Sequence, residues 1–314
     1  MFHEKILVTE ILGFAMIYLE TFLNIILWKV KMTAFYKFLQ EFEDFIKTSK
    51  RNERKVIDKY FNRYRYFYIF IAIFATISFL LRVIIAPIQG RQKLPFAIYY
   101  PFTIKPYSSL HYLIYLSQSI ASFQCSAQII FPITISMIML HVSMKLELLA
   151  DEIEHAEHYN QLIICIQHHQ ECIKLVERIN RVFGAHIMKS YIIPGLSIIF
   201  GSMKFIYKPD FFTIGRSFLT ITSCLIGTYI YNGPADDIYE MNHAIGHMLY
   251  DMEWNNELMK MKKDIIIVMI RIQKPIFICP LKGLMPALNR KIYTNFLSYL
   301  ISYIMTLRAI VNTQ

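Results

Sequence analysis

Between Tyr66 and Ile88 the chain reads YFYIFIAIFATISFLLRVIIAPI, an apolar run with Arg82 as its one charge. About 20 largely apolar residues are needed for a helix to cross a bilayer, and inside the hydrocarbon every backbone N–H and C=O must be satisfied within the element itself. A run of this length therefore points to a membrane-spanning helix. Composition agrees: the chain is 55% hydrophobic and only 18% charged, against about 25% charged for a soluble domain. The net charge of +10 is ambiguous until the basic residues are placed.

Five further runs fit the same requirement. Ile6–Val30 contains Glu10 and Glu20. Leu110–Leu140 contains Pro132, which should kink it. Val182–Tyr207 contains Pro194 and Gly195. Phe211–Tyr231 follows the short turn Lys208–Asp210, and Lys291–Val311 is the last. The expected fold class is all-α: a polytopic transmembrane helical bundle with six spans, at about 6–30, 66–88, 110–140, 182–207 and 211–231 and within 286–314. Eleven Lys and Arg lie from Lys29 to Arg65, three between the second and third spans, four in His141–Arg181, Lys208 alone in the fourth connection, and seven from Lys260 to Arg290. Rich and poor loops alternate, so the rich side is cytoplasmic and both termini of a six-span chain lie outside. The positive charge then flanks membrane and has no need of nucleic acid. In Val142–Asn180, Leu146, Leu149, Ile153, Leu162, Ile166, Ile173 and Val176 recur at helical intervals among polar residues, as expected for long cytoplasmic helical extensions of the third and fourth spans.

The stretch DIIIVMIRIQKPIFICP, Asp264–Pro280, opens like a span and is then broken by Arg271, Gln273, Lys274 and two prolines. Each Arg or Lys at a span centre costs roughly 2.5–3.5 kcal/mol. The expected element is a cytoplasmic helix that ends before Pro275 and packs Ile266, Met269, Ile270 and Gln273 on another protein surface.

Motifs for chemistry are weak. His243 and His247 share a helix face, but HAIGH lacks the Glu of a zincin helix. His155 and His158 beside Glu154 and Glu157 read as a solvated face, and His168 and His169 likewise. Asp236 and Asp237 follow Gly233–Pro234 and read as the first turn of a helix. Neither a phosphate loop nor a nucleophile elbow occurs, so no enzyme, metal or cofactor is expected. The five cysteines pair in no outer loop and read as small buried hydrophobes. Glu10 and Glu20 are intramembrane acids with no evident partner, while Arg82, Lys189, Lys204 and Arg216 read as snorkelling near span ends. Aromatic and hydroxyl residues in the outer halves of the spans could line an apolar pocket with a few polar groups, as a volatile ligand needs.

The C-terminal third resembles the insect odorant receptors. LYDMEW (Leu249–Trp254) resembles the family's Tyr-x-x-x-Trp. KMKKDIIIVMIRIQKPIFI (Lys260–Ile278) resembles its basic-apolar helix ending in Gln-Lys-Pro, and FLSYLISYIMTLRAI (Phe296–Ile310) resembles its last span. Upstream, LPFAIYYPF (Leu94–Phe102) and HHQECIKLVERINRVF (His168–Phe183) fit the second outer loop and the long cytoplasmic return. The resemblance implies a subunit of an odorant-gated, non-selective cation channel. Such a subunit acts with the odorant receptor co-receptor as a heterotetramer in the plasma membrane of olfactory dendrites, in contact with lipid and a small volatile ligand.

By that resemblance, residues 1–231 are a transmembrane bundle with a ligand-binding outer half. The ligand would meet Phe14, Tyr18, Ser78, Leu81, Tyr115, Ser119, Phe218 and Thr222. Residues 232–285 would be cytoplasmic anchor helices, with Trp254, Ile266, Ile270, Gln273, Lys274 and Pro275 at the subunit interface. Residues 286–314 would be the pore-lining span, with Thr306, Ala309 and Ile310 on the pore. The first span present matches the family's second, so the resemblance implies six spans of a seven-span fold, lacking the N-terminal tail and first span. A truncated, non-functional fragment is therefore one alternative. A G-protein-coupled-type chemoreceptor is another, although Asn62–Tyr64 (NRY) precedes an outward-running span and no NPxxY motif occurs.

Overall fold

The computed structural model describes residues 2–85, 94–95, 100–156, 158–207, 211–251, 262–274, 276–280 and 285–312. Every regular element among them is helical: α1 (Phe2–Thr48), α2 (Arg51–Leu80, closing in a π turn Leu81–Ile85), α3 (Ser109–Ala127), α4 (Ile130–Glu154), α5 (Tyr159–Tyr207), α6 (Phe211–Asp251), α7 (Lys262–Ile272) and α8 (Arg290–Asn312). By length and composition, three stretches of the described residues, Arg51–Leu80, Ser109–Glu154 and Tyr159–Ser202, are able to cross a membrane. The other three expected spans lie within α1, α6 and α8.

Several helices run well beyond a bilayer's thickness, α5 and α6 with a proline inside them. α1 ends where Thr48 and Ser49 turn their hydroxyls back onto the carbonyls of Asp44 and Ile46, the local competition that terminates helices. α2 begins at once, with the Glu53 carboxylate accepting the Lys50 N–H at 2.9 Å. The expected cytosolic continuation of the third span and its return are α4 and the first half of α5, separated only by residues 155–158.

The prolines act through the carbonyl four residues earlier, which each deprives of a hydrogen bond. Pro132 should kink its span. The regular helix is interrupted for one tighter turn at Gln128–Ile129, whose backbone stays right-handed, and the Gln128 carbonyl is taken up by the Phe131 N–H at 3.2 Å. Pro234 behaves differently. The expected helix start at Gly233–Pro234 is not there: α6 runs straight through both residues. The stranded Ile230 carbonyl accepts the Ser136 hydroxyl of α4 at 2.9 Å, and Ser136 in turn lies 2.7 Å from the Tyr68 hydroxyl of α2. A Cβ on Gly233 would come within 3.2 Å of the Tyr64 oxygen, so glycine there lets α2 approach closely.

The core sits around α4, which packs along α6, while α1 lies along α5. Met139, Val142, Leu146, Leu162, Ile179, Ile187, Ala235, Ile238 and Ile245 are fully buried in it. The segment after α7 is stitched to α5 by one side chain. Asn180 donates to the Phe277 carbonyl at 3.1 Å and accepts from the Cys279 N–H at 2.9 Å. None of the five cysteines is joined in a disulfide.

Candidate ligand site

Six helices border a partly open cavity of about 160 Å³ at the α3–α4 junction. Helical spacing of three and four residues sets its walls. Glu20 and Asn24 come from α1; Ile71, Phe74, Ala75 and Ser78 from α2; Ser190 and Pro194 from α5; Ser223, Cys224, Ile226 and Gly227 from α6. Residues from Cys125 to Pro132 line it at that junction.

The lining is more polar than an apolar pocket with a few hydroxyls. Lys189, 7% exposed, donates to Glu20 at 3.4 Å and to the side-chain oxygen of Asn24. Asn24 passes the chain on, donating to Gln128 Oε1 at 2.6 Å. Thr21 and Cys125 meet at 3.3 Å beside it. Ser78 is 5% exposed and its hydroxyl has no hydrogen-bond partner. The reading of Lys189 as a snorkelling residue is thus corrected: its ammonium turns inward, because Glu20 compensates a charge that apolar surroundings would otherwise reject. The signal was present in the sequence. Glu20 and Asn24 are four apart in an apolar run and face one side of the helix, and Lys189 lies in another such run. Their pairing was not visible.

Of the expected ligand residues, Ser78 lines this cavity. Thr222, half-buried, is next to the lining residues Ser223 and Cys224, and Tyr18, also half-buried, precedes Glu20 by two positions. The Tyr115 hydroxyl donates to the Val83 carbonyl at 2.9 Å, and Ser119 donates to the Tyr115 carbonyl. Leu81 falls in the π turn. Phe218 is 66% exposed. Phe14 belongs to α1, and its side chain is outside the described residues.

α8 is held at its first half. Phe296 packs edge-on to Tyr191 of α5 with ring centroids 5.3 Å apart, and a Cβ on Gly195 would meet the Phe296 ring at 3.6 Å. Tyr293 donates to the Leu225 carbonyl of α6 at 3.2 Å. Further along, Thr306 and Ala309 are exposed; Ile310 is helical with its side chain outside the described residues.

The first residue of α8, Arg290, closes an ion cluster with Asp236 and Asp237 at 3.2 Å and Glu240 at 3.7 Å. Arg63 of α2 reaches Asp237 from the other side at 3.4 Å, and the Tyr64 hydroxyl donates to it at 2.6 Å. Burial pushes the Asp237 carboxyl above its ordinary range, against the opposing pull of Tyr64, Arg63 and Arg290. The two aspartates therefore bridge three helices, a role different from the helix start first assigned to them.

On α7, Ile265 and Ile272 are buried, whereas Ile266, Ile267 and Ile270 are exposed, as are Gln273 and Lys274. α7 and α5 border an open groove of about 600 Å³ lined by Ile163, Ile166, Ile173, Ile267 and Val268. Trp254 and Pro275 lie outside the described residues. Asp151, Glu154 and His155 bring ligand atoms within 4.8 Å of one another, all on an exposed helix end, where such groupings are ordinary solvated surface.

A bundle of long helices, with three stretches of the described residues apolar enough to span a membrane and a cavity between its helices, defines a multi-pass membrane protein. The family model for the 7tm Odorant receptor matches residues 2–287, and the chain belongs to that family. Odorant receptor 67a of Drosophila melanogaster is 24% identical over 215 residues, covering 64% of this chain and 52% of the relative. Odorant receptor 42b of the same fly is 24% identical over 203 residues, covering 60% and 50%. The chain spans about half the length of these curated relatives. The insect olfactory receptor OR5 from Machilis hrabei shares the fold, with a TM-score of 0.78 at 14% identity over 94% of this chain and 79% of that one. Its structure in complex with eugenol gives 0.77 at 13% identity, over 96% and 81%.

Proposed function

We propose that this chain is an odorant receptor subunit of the plasma membrane. A small volatile ligand occupies the α1–α6 cavity, and the subunit gates a cation pore together with the odorant receptor co-receptor. The observation that carries this is the cavity between the helices of an odorant receptor fold, at a size that admits one small molecule. OR5 of Machilis hrabei, which has this fold, was solved with eugenol, and that supports a small organic ligand here.

The geometry supplies a route from ligand to pore. Ser190 and Pro194 line the cavity, and Tyr191 and Gly195 of the same helix press on Phe296 of α8. A ligand that favours one placement of this α5 turn shifts the position of α8, which changes the pore through Thr306, Ala309 and Ile310. Such a shift is limited by the ligand's differential affinity for the two placements. Exposed Ile266, Ile267 and Ile270 on α7, with Gln273 and Lys274 beyond them, form the anchor surface between subunits, on the cytoplasmic side.

The test is whole-cell recording from cells co-expressing this chain and the co-receptor, with a panel of small volatiles. A cation current that needs both chains and is evoked by a subset of the panel is expected. Surface-expressed complexes that pass no current across a broad panel, or a response abolished by blocking G proteins, would count against the reading.

A further inference from the structure

Taking the odorant receptor reading of the site as given, we infer that the cavity selects small alcohols and phenols over hydrocarbons, acids and amines of the same size. Glu20, Ser78 and Gln128 bind the head group.

Size comes first. A cavity of about 160 Å³ compares with the roughly 150 Å³ that holds benzene in an engineered protein core, so the ligand is about one ring with a short substituent. Hydrogen-bonding capacity comes second. The Ser78 hydroxyl is buried on the cavity wall with no partner. Such groups are rare, because an unpaired buried hydroxyl loses its water and gains nothing. Glu20 accepts from Lys189 through Oε1, which leaves carboxylate lone pairs on the cavity wall that only a donor can use. Gln128 accepts through Oε1, leaving its amide as a donor. A ligand hydroxyl matches this set: it donates to Glu20 and accepts from Ser78 or Gln128.

Charge comes third. Lys189 already neutralises Glu20, so an ammonium or carboxylate ligand would bring a surplus charge against Ile71 and Phe74, a costly placement. A hydrocarbon would fill the space but leave the Ser78 hydroxyl without a partner and the second Glu20 carboxylate oxygen without a donor. Sites that hydrogen-bond a hydroxyl discriminate strongly against the analogue lacking it.

The test uses the whole chain in lipid nanodiscs, with ligand-observed NMR titrations of benzyl alcohol and ethylbenzene corrected by empty nanodiscs. Benzyl alcohol is expected to bind at least ~10-fold tighter than ethylbenzene. Ser78→Ala removes a hydroxyl that holds nothing in the fold, so it should leave the protein folded and reduce the preference. Glu20→Gln should reduce it further. Phenylacetate and benzylamine should bind more weakly than benzyl alcohol. Equal affinity for alcohol and hydrocarbon, a preference untouched by Ser78→Ala, or no binding above empty nanodiscs would each overturn the inference. Recording from the co-expressed complex separates the two readings. Selective binding of benzyl alcohol with no current defeats the channel reading and leaves this inference standing. Equal currents from both compounds defeat the inference and leave the channel reading standing.

Discussion

A lysine held at 7% exposure between apolar helices is tolerable only with a partner, and Lys189 has two, Glu20 and Asn24. Removing one member of a buried pair leaves the other charged and unsolvated, which typically costs about 3–5 kcal/mol, whereas replacing both is often close to neutral. Lys189→Met is therefore expected to be less stable than the double substitution Glu20→Gln with Lys189→Met. Thermal unfolding of the purified variants in detergent measures this directly, and equal losses would mean that the pair is uncoupled. Ser136 is a second case in which one atom supports a distant helix. Its hydroxyl supplies the donor that Pro234 denies to the Ile230 carbonyl, so Ser136→Ala should cost about 1–3 kcal/mol in the same assay. Neither pairing was legible beforehand. Glu20 and Lys189 are 169 residues apart, and Ser136 and Ile230 are 94 apart. Sequence marks each group as polar in an apolar run and says nothing of which helix faces it.

At the scale of elements, local rules read well wherever the outcome depends on the chain's own backbone. The apolar runs, the return after α4 and the end of α7 before Pro275 follow from periodicity and breakers. Pro132 and Pro234 show where that stops. Both remove the same kind of hydrogen bond, yet the helix tightens near the first and continues through the second, where a neighbour's hydroxyl takes the freed carbonyl; α5 likewise continues through Pro194. The Arg290 cluster is likewise tertiary, since it ties the start of α8 to α6 and α2. Arg290→Met removes one of the cations that hold the Asp237 carboxyl down against burial, so its folded-state pKa rises further above the unfolded one. A raised acid pKa contributes stability below the unfolded value that is lost as pH rises through the folded value. The deficit of Arg290→Met relative to the unsubstituted protein should therefore be larger at pH 7 than at pH 5. Melting both proteins across that range checks the sign. On α7, Ile266, Ile267 and Ile270 are exposed among the described residues. Ile270→Asp should change the monomer's stability by no more than about 0.5 kcal/mol while reducing co-purification with the co-receptor. Undiminished co-purification would remove this face from the interface.

For the whole molecule, the question is how a molecule in the cavity reaches α8, which contributes nothing to the cavity's lining. The residues expected to bind ligand follow from the family resemblance. The cavity takes Ser78 from that set and adds Glu20, Asn24 and Gln128, which only the assembled bundle brings together. The same assembly places one turn of α5 with Ser190 and Pro194 on the cavity and Tyr191 and Gly195 on Phe296. If that turn transmits ligand occupancy, Phe296 is the place to interrupt it, because the ring touches α5 and does not line the cavity. Phe296→Ala should leave the affinity for a ligand such as benzyl alcohol in nanodiscs unchanged within about 2-fold, and lower the maximal ligand-evoked current of the co-expressed complex several-fold at equal surface density. Phe296→Leu, which keeps an apolar contact, should retain more of the current than alanine does. A parallel fall in affinity and current would place Phe296 in the binding site instead. An unchanged maximal current would show that α8 receives the signal elsewhere, for which the Tyr293 contact with the Leu225 carbonyl of α6 is the next candidate.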